Sequence, residues 1–427
     1  MDGFVLGIDI GTSGVRVAAV DAAGSILGLG QSALPPTLVR GTRREQNPEE
    51  WWQALGVALR DLDRHVSIRD ALALSVDATS GTILPVDTAN RPLALARMYD
   101  DSDTEGEAMT IARRAPRESA AHGASSPAAR ARAWIGLNDL YQIVHQADWI
   151  LRRLSGREET DENNALKTGY DPVARRWPGW MEDYGLPSER LPVVVPAGTT
   201  LGTLGKTSGA AEFGLSPATL AVAGTTDGCA TFFASGAAVC GEASTALGST
   251  LVLKVLCDRP VFAPEYGIYS HRLGEQWLAG GASNCGGRSL LAHFTQAQLV
   301  EIAPRLRPEV PTGLDYYPLP QVGERFPVAD PTLMARLTPR PADDAVFVQG
   351  ILEGLCQVEK SGYERLRQLG APMASSIRHA GGGTRNAAWM RLRERLLGVP
   401  SRPAWSEEAA VGTARLAWQG LGWRLPL

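Results

Sequence analysis

Cysteine, lysine and long hydrophobic runs are all scarce in this chain. Cys occurs only at Cys229, Cys240, Cys257, Cys285 and Cys356, an odd number with no C-x-x-C pair. That pattern excludes a disulfide framework or a Cys-based zinc site and predicts a reducing, cytoplasmic location. The six histidines show no metal-ligand spacing. No run approaches the ~18 apolar residues of a membrane span. The chain enters an apolar strand at once, without a basic leader segment, so no signal peptide is expected. Lys stands only at Lys167, Lys206, Lys254 and Lys360, and the rest of the 42 basic residues are Arg; this bias carries no functional reading of its own. Neither sign of charge dominates. The net charge is −4, with acids and bases interspersed, which argues against a nucleic-acid partner.

What is present is ordinary for a soluble enzyme: 44% apolar and 21% charged residues. At 427 residues the chain is too long for one core, so two domains are expected. Phe4 to Ile8 reads as a buried strand, Gly11 to Gly14 as a hairpin turn and Val15 to Val20 as the return strand. Asp21 to Gly24 turns again into Ser25-Ile26-Leu27. Asn47 then caps a helix with Pro48 at its first position. Leu72 to Val76 is a further strand, delivering Asp77-Ala78-Thr79-Ser80-Gly81-Thr82. Strands alternating with helices predict an α/β fold. Pro, Gly, Ser and Thr accumulate between Leu191 and Gly214, which places the expected domain boundary near Ser216, with domains 1–216 and 217–427. Beyond it the opening layout restarts: a strand at Thr219 to Ala223, a turn with Asp227, and strands around Gly248-Ser249-Thr250. Val346 to Leu369 has helical apolar spacing. Ile377 to Ala380 is a short strand running into Gly381-Gly382-Gly383-Thr384-Arg385-Asn386, with a helix from about Ala387.

Two turns carry chemistry. Asp9 follows an apolar strand and precedes Gly11-Thr12-Ser13-Gly14. Small turn residues let backbone N–H groups approach phosphate oxygens, while the carboxylate handles Mg²⁺ through water. Asp227 follows Gly224-Thr225-Thr226. A sugar hydroxyl must lose its proton as the O–P bond forms, and a positioned carboxylate can accept it. The bland readings are a hairpin-stabilising Asp9 and a helix-capping Asp227. Leu247-Gly248-Ser249-Thr250 and Gly381-Gly382-Gly383 with Asn386 are two further Gly-rich turns, the second opening a helix suited to an anion.

This ordered set of turns resembles the carbohydrate kinases of the FGGY family, and the likeness spans nearly the whole chain. It continues through Asp77 to Thr82, Gln146 to Trp149, Asn163 to Lys167, Tyr269 to Leu273 and Gly280 to Gly286. Leu314 to Pro320, Gly323 to Pro327 and Glu408 to Ala414 extend it. These stretches are similar to the short D-ribulose (pentulose) kinases of cyanobacteria and plants. The resemblance implies two ribonuclease H-like domains of the actin/Hsp70/hexokinase-like ATPase superfold around a deep cleft. Sugar would lie on the N-terminal domain and ATP on the C-terminal one, with Asp9 and Asp227 coming from opposite lobes. It further implies Asp227 as general base and Asp9 at the metal. Thr12, Ser13, Gly14 and Ser80 would lie by the sugar and transferring phosphate, Gly248 and Ser249 on nucleotide phosphates, and Gly281, Gly382, Gly383 and Asn386 around the adenosine. The expected reaction is phosphorylation of D-ribulose by MgATP. D-xylulose or another ketose or polyol is the first alternative. An ATP-driven conformational protein or a silent sugar sensor on the same fold is the second.

The chain departs from the wider family in two places. Met98-Tyr99-Asp100-Asp101-Ser102-Asp103 lacks the Arg that follows such a stretch in longer members, and Ala129-Arg130 stands where a Lys is usual. Two decoys are set aside. Gly205-Lys206-Thr207 lacks the first glycine of a Walker A loop, since residue 200 is Thr200. The Gly28-Leu29-Gly30 stretch runs into Pro35-Pro36, which forbids the helix of a dinucleotide fingerprint. The histidines are read as structural, Cys285 as packed and unreactive, the Trp51-Trp52, Trp177 and Trp180 group as core, and Glu324-Arg325 as an ion pair.

Overall fold

The apolar run at the start of the chain becomes a strand buried along its whole length, β1 (Phe4–Ile10). In the computed structural model, which describes residues 3–423, β1 continues into β2 (Gly14–Asp21) and β3 (Ile26–Ala33) as an antiparallel meander. β4 (Ala73–Ala78) pairs parallel with β1, and β6 (Leu220–Thr226) pairs parallel with β4. β5 (Thr200–Thr203) closes the edge antiparallel, giving the order β5-β6-β4-β1-β2-β3.

Both faces of this sheet are covered, which is why its central strands read as continuous apolar runs. Leu6, Ile8 and Ile10 face one core with Trp51, Leu55 and Trp149, from the helices Pro48–Asp63 and Gln146–Ser155. Val5, Ala18, Val20 and Val222 face another with Val411, Ala414 and Trp418 of the C-terminal helix Ala409–Gly420. The expected cap is present, with the Asn47 side chain accepting from Glu49 N at 3.1 Å. Gly7 stands where that C-terminal helix comes closest. A Cβ there would lie 1.9 Å from Ala410 O, so only glycine admits the contact.

The chain forms two compact units, and their division differs from the expected boundary near Ser216. Of the described residues, the first comprises 3–234, 271–274 and 408–423; the second comprises 235–270 and 275–407. Hydrogen bonding explains the shift: β6 lies beyond residue 216, yet it bonds to β4 in the first unit's sheet. The Pro/Gly-rich stretch before it is a run of loops and short strands within that unit, not a linker.

In the second unit, β7 (Glu242–Leu247), β8 (Leu251–Cys257) and β9 (Gln276–Ser283) form another antiparallel meander. β10 (Ser376–Ala380) pairs parallel with β7, and β11 (Ser401–Pro403) parallel with β10. A meander whose first strand gains a parallel neighbour thus occurs in both units, but the repeat begins at Glu242 and not at the Thr219 to Ala223 strand of the sequence restart, since that strand belongs to the first sheet. The Asp344–Gln368 and Ala387–Leu397 helices meet through a fully buried ion pair, Arg393 to Glu359 at 2.7 Å. No helix among the described residues is long and apolar enough to cross a membrane.

Candidate functional site

Three parallel strands deliver carboxylates to one end of the first unit's sheet. Asp9 is the penultimate residue of β1, Asp77 is its register partner in β4, and Thr225 of β6 is paired with Asp77. Asp227 lies just beyond β6 and opens the Asp227–Ser235 helix. The carboxyl ends of parallel strands are where α/β sheets place ligands. Asp9 and Asp227 are therefore both in the first unit, which corrects the expectation that they come from opposite lobes.

Alternation along the strands sets which way the acids point. Val5, Gly7 and Asp9 share one face, as do Ala73, Ser75 and Asp77, and it is the face covered by the C-terminal helix. Asp77 is fully buried, and Thr413 of that helix donates a short hydrogen bond to its Oδ2. Its Oδ1 finds no donor, and its carboxyl lies against that of Asp9. Burial, then the Asp9 charge, holds the Asp77 carboxyl well above the usual carboxylate range. Asp9 is 6% exposed, and its Oδ2 sits 3.5 Å from Arg16 Nη1. Burial and then the Asp227 charge push its pKa up to about 6, against the opposing pull of Arg16. Asp227 is half-buried, with its Oδ1 accepting from Gly228 N at 2.7 Å.

The turn after Asp9 is tied down by backbone bonds. Gly11 N donates to Gly14 O at 3.0 Å, Leu34 N to Ser13 O at 2.9 Å, and Gln46 Nε2 to Thr12 O at 2.9 Å. Ser13 is exposed, Thr12 partly so, and the Thr12 side chain meets the Tyr99 phenol, which also feels Asp227. The second turn, at Thr79 to Thr82, is held from inside. Thr79 Oγ1 bonds Gln146 Oε1 at 2.7 Å and Thr82 Oγ1 at 2.6 Å. The fully buried Arg130 spreads its guanidinium over backbone carbonyls: Gly81 O at 2.8 Å, Arg97 O at 2.9 Å, Ser125 O at 3.0 Å, and Met98 O. Burial lowers its pKa to about 9. The Ala129-Arg130 departure from the family pattern thus supplies a brace between the 79–82 and 97–101 segments. Asp101 pairs with Arg97 through two buried bonds of 2.6 and 2.5 Å.

The second unit gathers the other Gly-rich turns. Gly248-Ser249-Thr250 links β7 to β8, and Gly287 N donates to Gly248 O at 2.8 Å. The space beside Gly381 and Gly383 is filled by Leu247, 3.0 and 2.9 Å from their Cβ positions, so the two turns adjoin. Gly382 opens a short 3₁₀ turn, and Asn386 caps the following helix by accepting from Trp389 N at 3.0 Å. Gly281, unlike these glycines, is not in a turn. It lies within β9, with the Phe326 ring 2.7 Å from where a Cβ would be.

Two smaller expectations resolve clearly. Glu324 is not paired with the Arg325 side chain; it is buried and accepts from Ser283 Oγ (2.6 Å), Asn284 N (2.7 Å) and Tyr317 OH (3.1 Å). His145 is a satisfied core histidine, bonded to Asp148 at 2.7 Å and Thr168 at 2.9 Å. Sequence reading carried Asp77 only in the sugar-side 77–82 turn, Tyr99 only in the 98–103 departure and Thr413 only in the 408–414 likeness, with no individual role for any of the three. A signal for Asp77 was available: Ser75-Val76-Asp77 repeats the apolar-strand-then-Asp pattern of Gly7-Ile8-Asp9. Among the described residues no group of three or more His, Cys, Asp or Glu is placed to hold a metal ion.

Comparison with known proteins identifies the family and the fold. Residues 4–234 match the N-terminal domain, and residues 236–420 the C-terminal domain, of the FGGY family of carbohydrate kinases. The xylulose kinase of Escherichia coli K12 is 23% identical over 435 residues, covering 96% of this chain and 89% of the relative. That of Streptomyces coelicolor is 26% identical over 439 residues, covering 97% and 87%. A crystal structure described as a xyloylose kinase, from Brucella ovis, superposes with a TM-score of 0.87 at 22% identity, over 99% of this chain and 93% of that one. With both domain models matched across almost its full length, the chain belongs to the FGGY family of carbohydrate kinases.

Proposed function

We propose that this sugar kinase transfers the terminal phosphoryl group of ATP to a hydroxyl of a ketopentose, with Asp227 as general base. The observation that carries the reading is the electrostatic coupling of buried Asp9 to Asp227 beside the Gly11–Gly14 turn. A buried carboxylate whose proton affinity is raised by a neighbouring carboxylate calls for a cation or a transferable proton beside it. An acceptor hydroxyl supplies the proton, and Asp227, half-exposed at a helix start, is placed to take it.

Mg²⁺ suits the donor set, which is all oxygen. With no three-residue ligand group among the described residues, the ion would be carried on ATP phosphates and reach Asp9 through water. When bound, it neutralises charge on the phosphoryl oxygens. Thr12, Ser13 and Gly14 would position the transferring phosphate and sugar, and Ser80 would contact the sugar. In the second unit, Gly248 and Ser249 would hold nucleotide phosphates, with Gly382, Gly383 and Asn386 beside the adenosine. Positioning and fixed dipoles account for the rate without a covalent intermediate.

The curated relatives named xylulose kinase move D-xylulose ahead of the D-ribulose expected from the sequence. Both remain within the ketopentose class. A coupled ADP assay across D-xylulose, D-ribulose, their L-isomers and glycerol tests the reading. The expected result is strong stimulation by one D-pentulose. ATP hydrolysis indifferent to every sugar would reject it in favour of an ATP-driven conformational protein.

A further inference from the structure

We propose that Lys167, together with the Ser80 hydroxyl, reads the carbonyl oxygen of the acceptor and so selects ketoses over the corresponding alditols. The inference rests on the kinase reading above and uses two groups that the chemistry of phosphoryl transfer leaves idle.

Lys167 is one of four lysines in the chain and is half-buried at the end of the Glu162–Leu166 helix. Its stem runs along the sugar-side turn, with Cδ 3.5 Å from the Cβ position of Gly81. Nζ donates to Ser80 O at 3.2 Å, which uses one of its three protons. No carboxylate among the described residues lies within ion-pair distance of it. Ser80 Oγ is buried and has no hydrogen-bond partner. A buried hydroxyl without a partner, on a turn that also holds an ammonium with two protons to spare, is costly unless a ligand atom engages it.

These groups belong to the same cradle as the carboxylates. The Tyr99 phenol is within electrostatic reach of both Asp227 and Lys167, and it bonds Thr12. The cradle therefore holds acceptor-only carboxylates and a donor-only ammonium. A ketopentose matches both, offering a hydroxyl whose proton Asp227 can take and a carbonyl oxygen that only accepts. A pentitol has a hydroxyl in place of that carbonyl, with a proton of its own to place. The pentitol oxygen can still accept from the ammonium, but its proton then faces donors and goes unpaired, which disfavours the alditol.

The test compares kcat/KM for D-xylulose and D-ribulose with that for xylitol and ribitol, using Ki against the ketose where an alditol is not turned over. Wild type, Lys167→Met, Lys167→Gln and Lys167→Arg are measured in parallel. Lys167→Gln keeps a donor for Ser80 O but no charge, so it separates bracing from recognition. We expect Met and Gln to lower ketose kcat/KM at least ~10-fold, with alditol values within ~3-fold of wild type and KM for ATP unchanged. Arg should retain most of the preference. Equal losses on ketose and alditol, or rescue by Gln, would make Lys167 a brace for the turn and overturn the inference. Equal wild-type use of ketoses and alditols would also overturn it while leaving the kinase reading intact. A wild type that phosphorylates no sugar would instead remove the kinase reading.

Discussion

Asp9 is ionisable, nearly buried and faced by two further acids, so its charge is held at a cost that the fold must carry. Its pKa is about 6 in the folded chain against the ordinary 3.8 of an aspartate, so the folded state binds the proton more tightly. Stability is therefore undiminished below the unfolded value and falls as pH rises through the folded one, by about 3 kcal/mol at most. Asp9→Asn should unfold at higher denaturant than wild type at pH 7.5, and the gap should close near pH 4. A gap independent of pH would contradict the account. Its turnover should be poor, with a weakened dependence on Mg²⁺. Asp227→Asn removes the proposed proton acceptor and leaves the second unit's turns untouched. It should lower kcat at least ~10²-fold with ATP affinity nearly unchanged by calorimetry.

At the scale of elements, the C-terminal helix does two jobs: it seals the sheet over Gly7, and it brings Thr413 to Asp77. Gly7→Ala would place a methyl against the Ala410 carbonyl, and overpacking of this kind costs roughly 1–3 kcal/mol or more. The measurement is the chemical denaturation midpoint; a change within error would mean that the helix yields. In the second unit, Arg393→Met would leave Glu359 buried without its counter-charge, with a cost of about 3–5 kcal/mol. Thr245 Oγ1 bonds Glu359 at 2.6 Å, so the disturbance should extend to β7 and weaken ATP binding. Nearly unchanged stability would show that Glu359 takes up a proton instead.

The molecule repeats one layout, and that repeat explains what could be read from one sequence. The meanders were legible because hairpin turns are local: Gly11–Gly14 and Gly248–Thr250 announce themselves between apolar runs. Asp9 and Asp227 were legible because each ends an apolar strand beside small turn residues. Their placement in one unit was not. It depends on β4 and β6 pairing across 148 residues, for example Thr225 with Asp77, and parallel pairing leaves no local mark. The return of residues 408–423 to the first unit was hidden for the same reason. Composition misled at Leu191 to Gly214, where Pro and Gly mark loops inside a unit. Arg130 was noticed only as a departure from the family pattern; its role as a brace appears once its guanidinium is seen among main-chain carbonyls.

The most direct test of the central claim is the initial rate of ADP formation by the intact chain, with and without D-xylulose or D-ribulose, in wild type and Asp227→Asn. The account predicts a large pentulose-dependent rate in wild type that falls at least ~10²-fold in the variant. A variant within a few-fold of wild type, or ADP release that ignores both pentuloses, would contradict it.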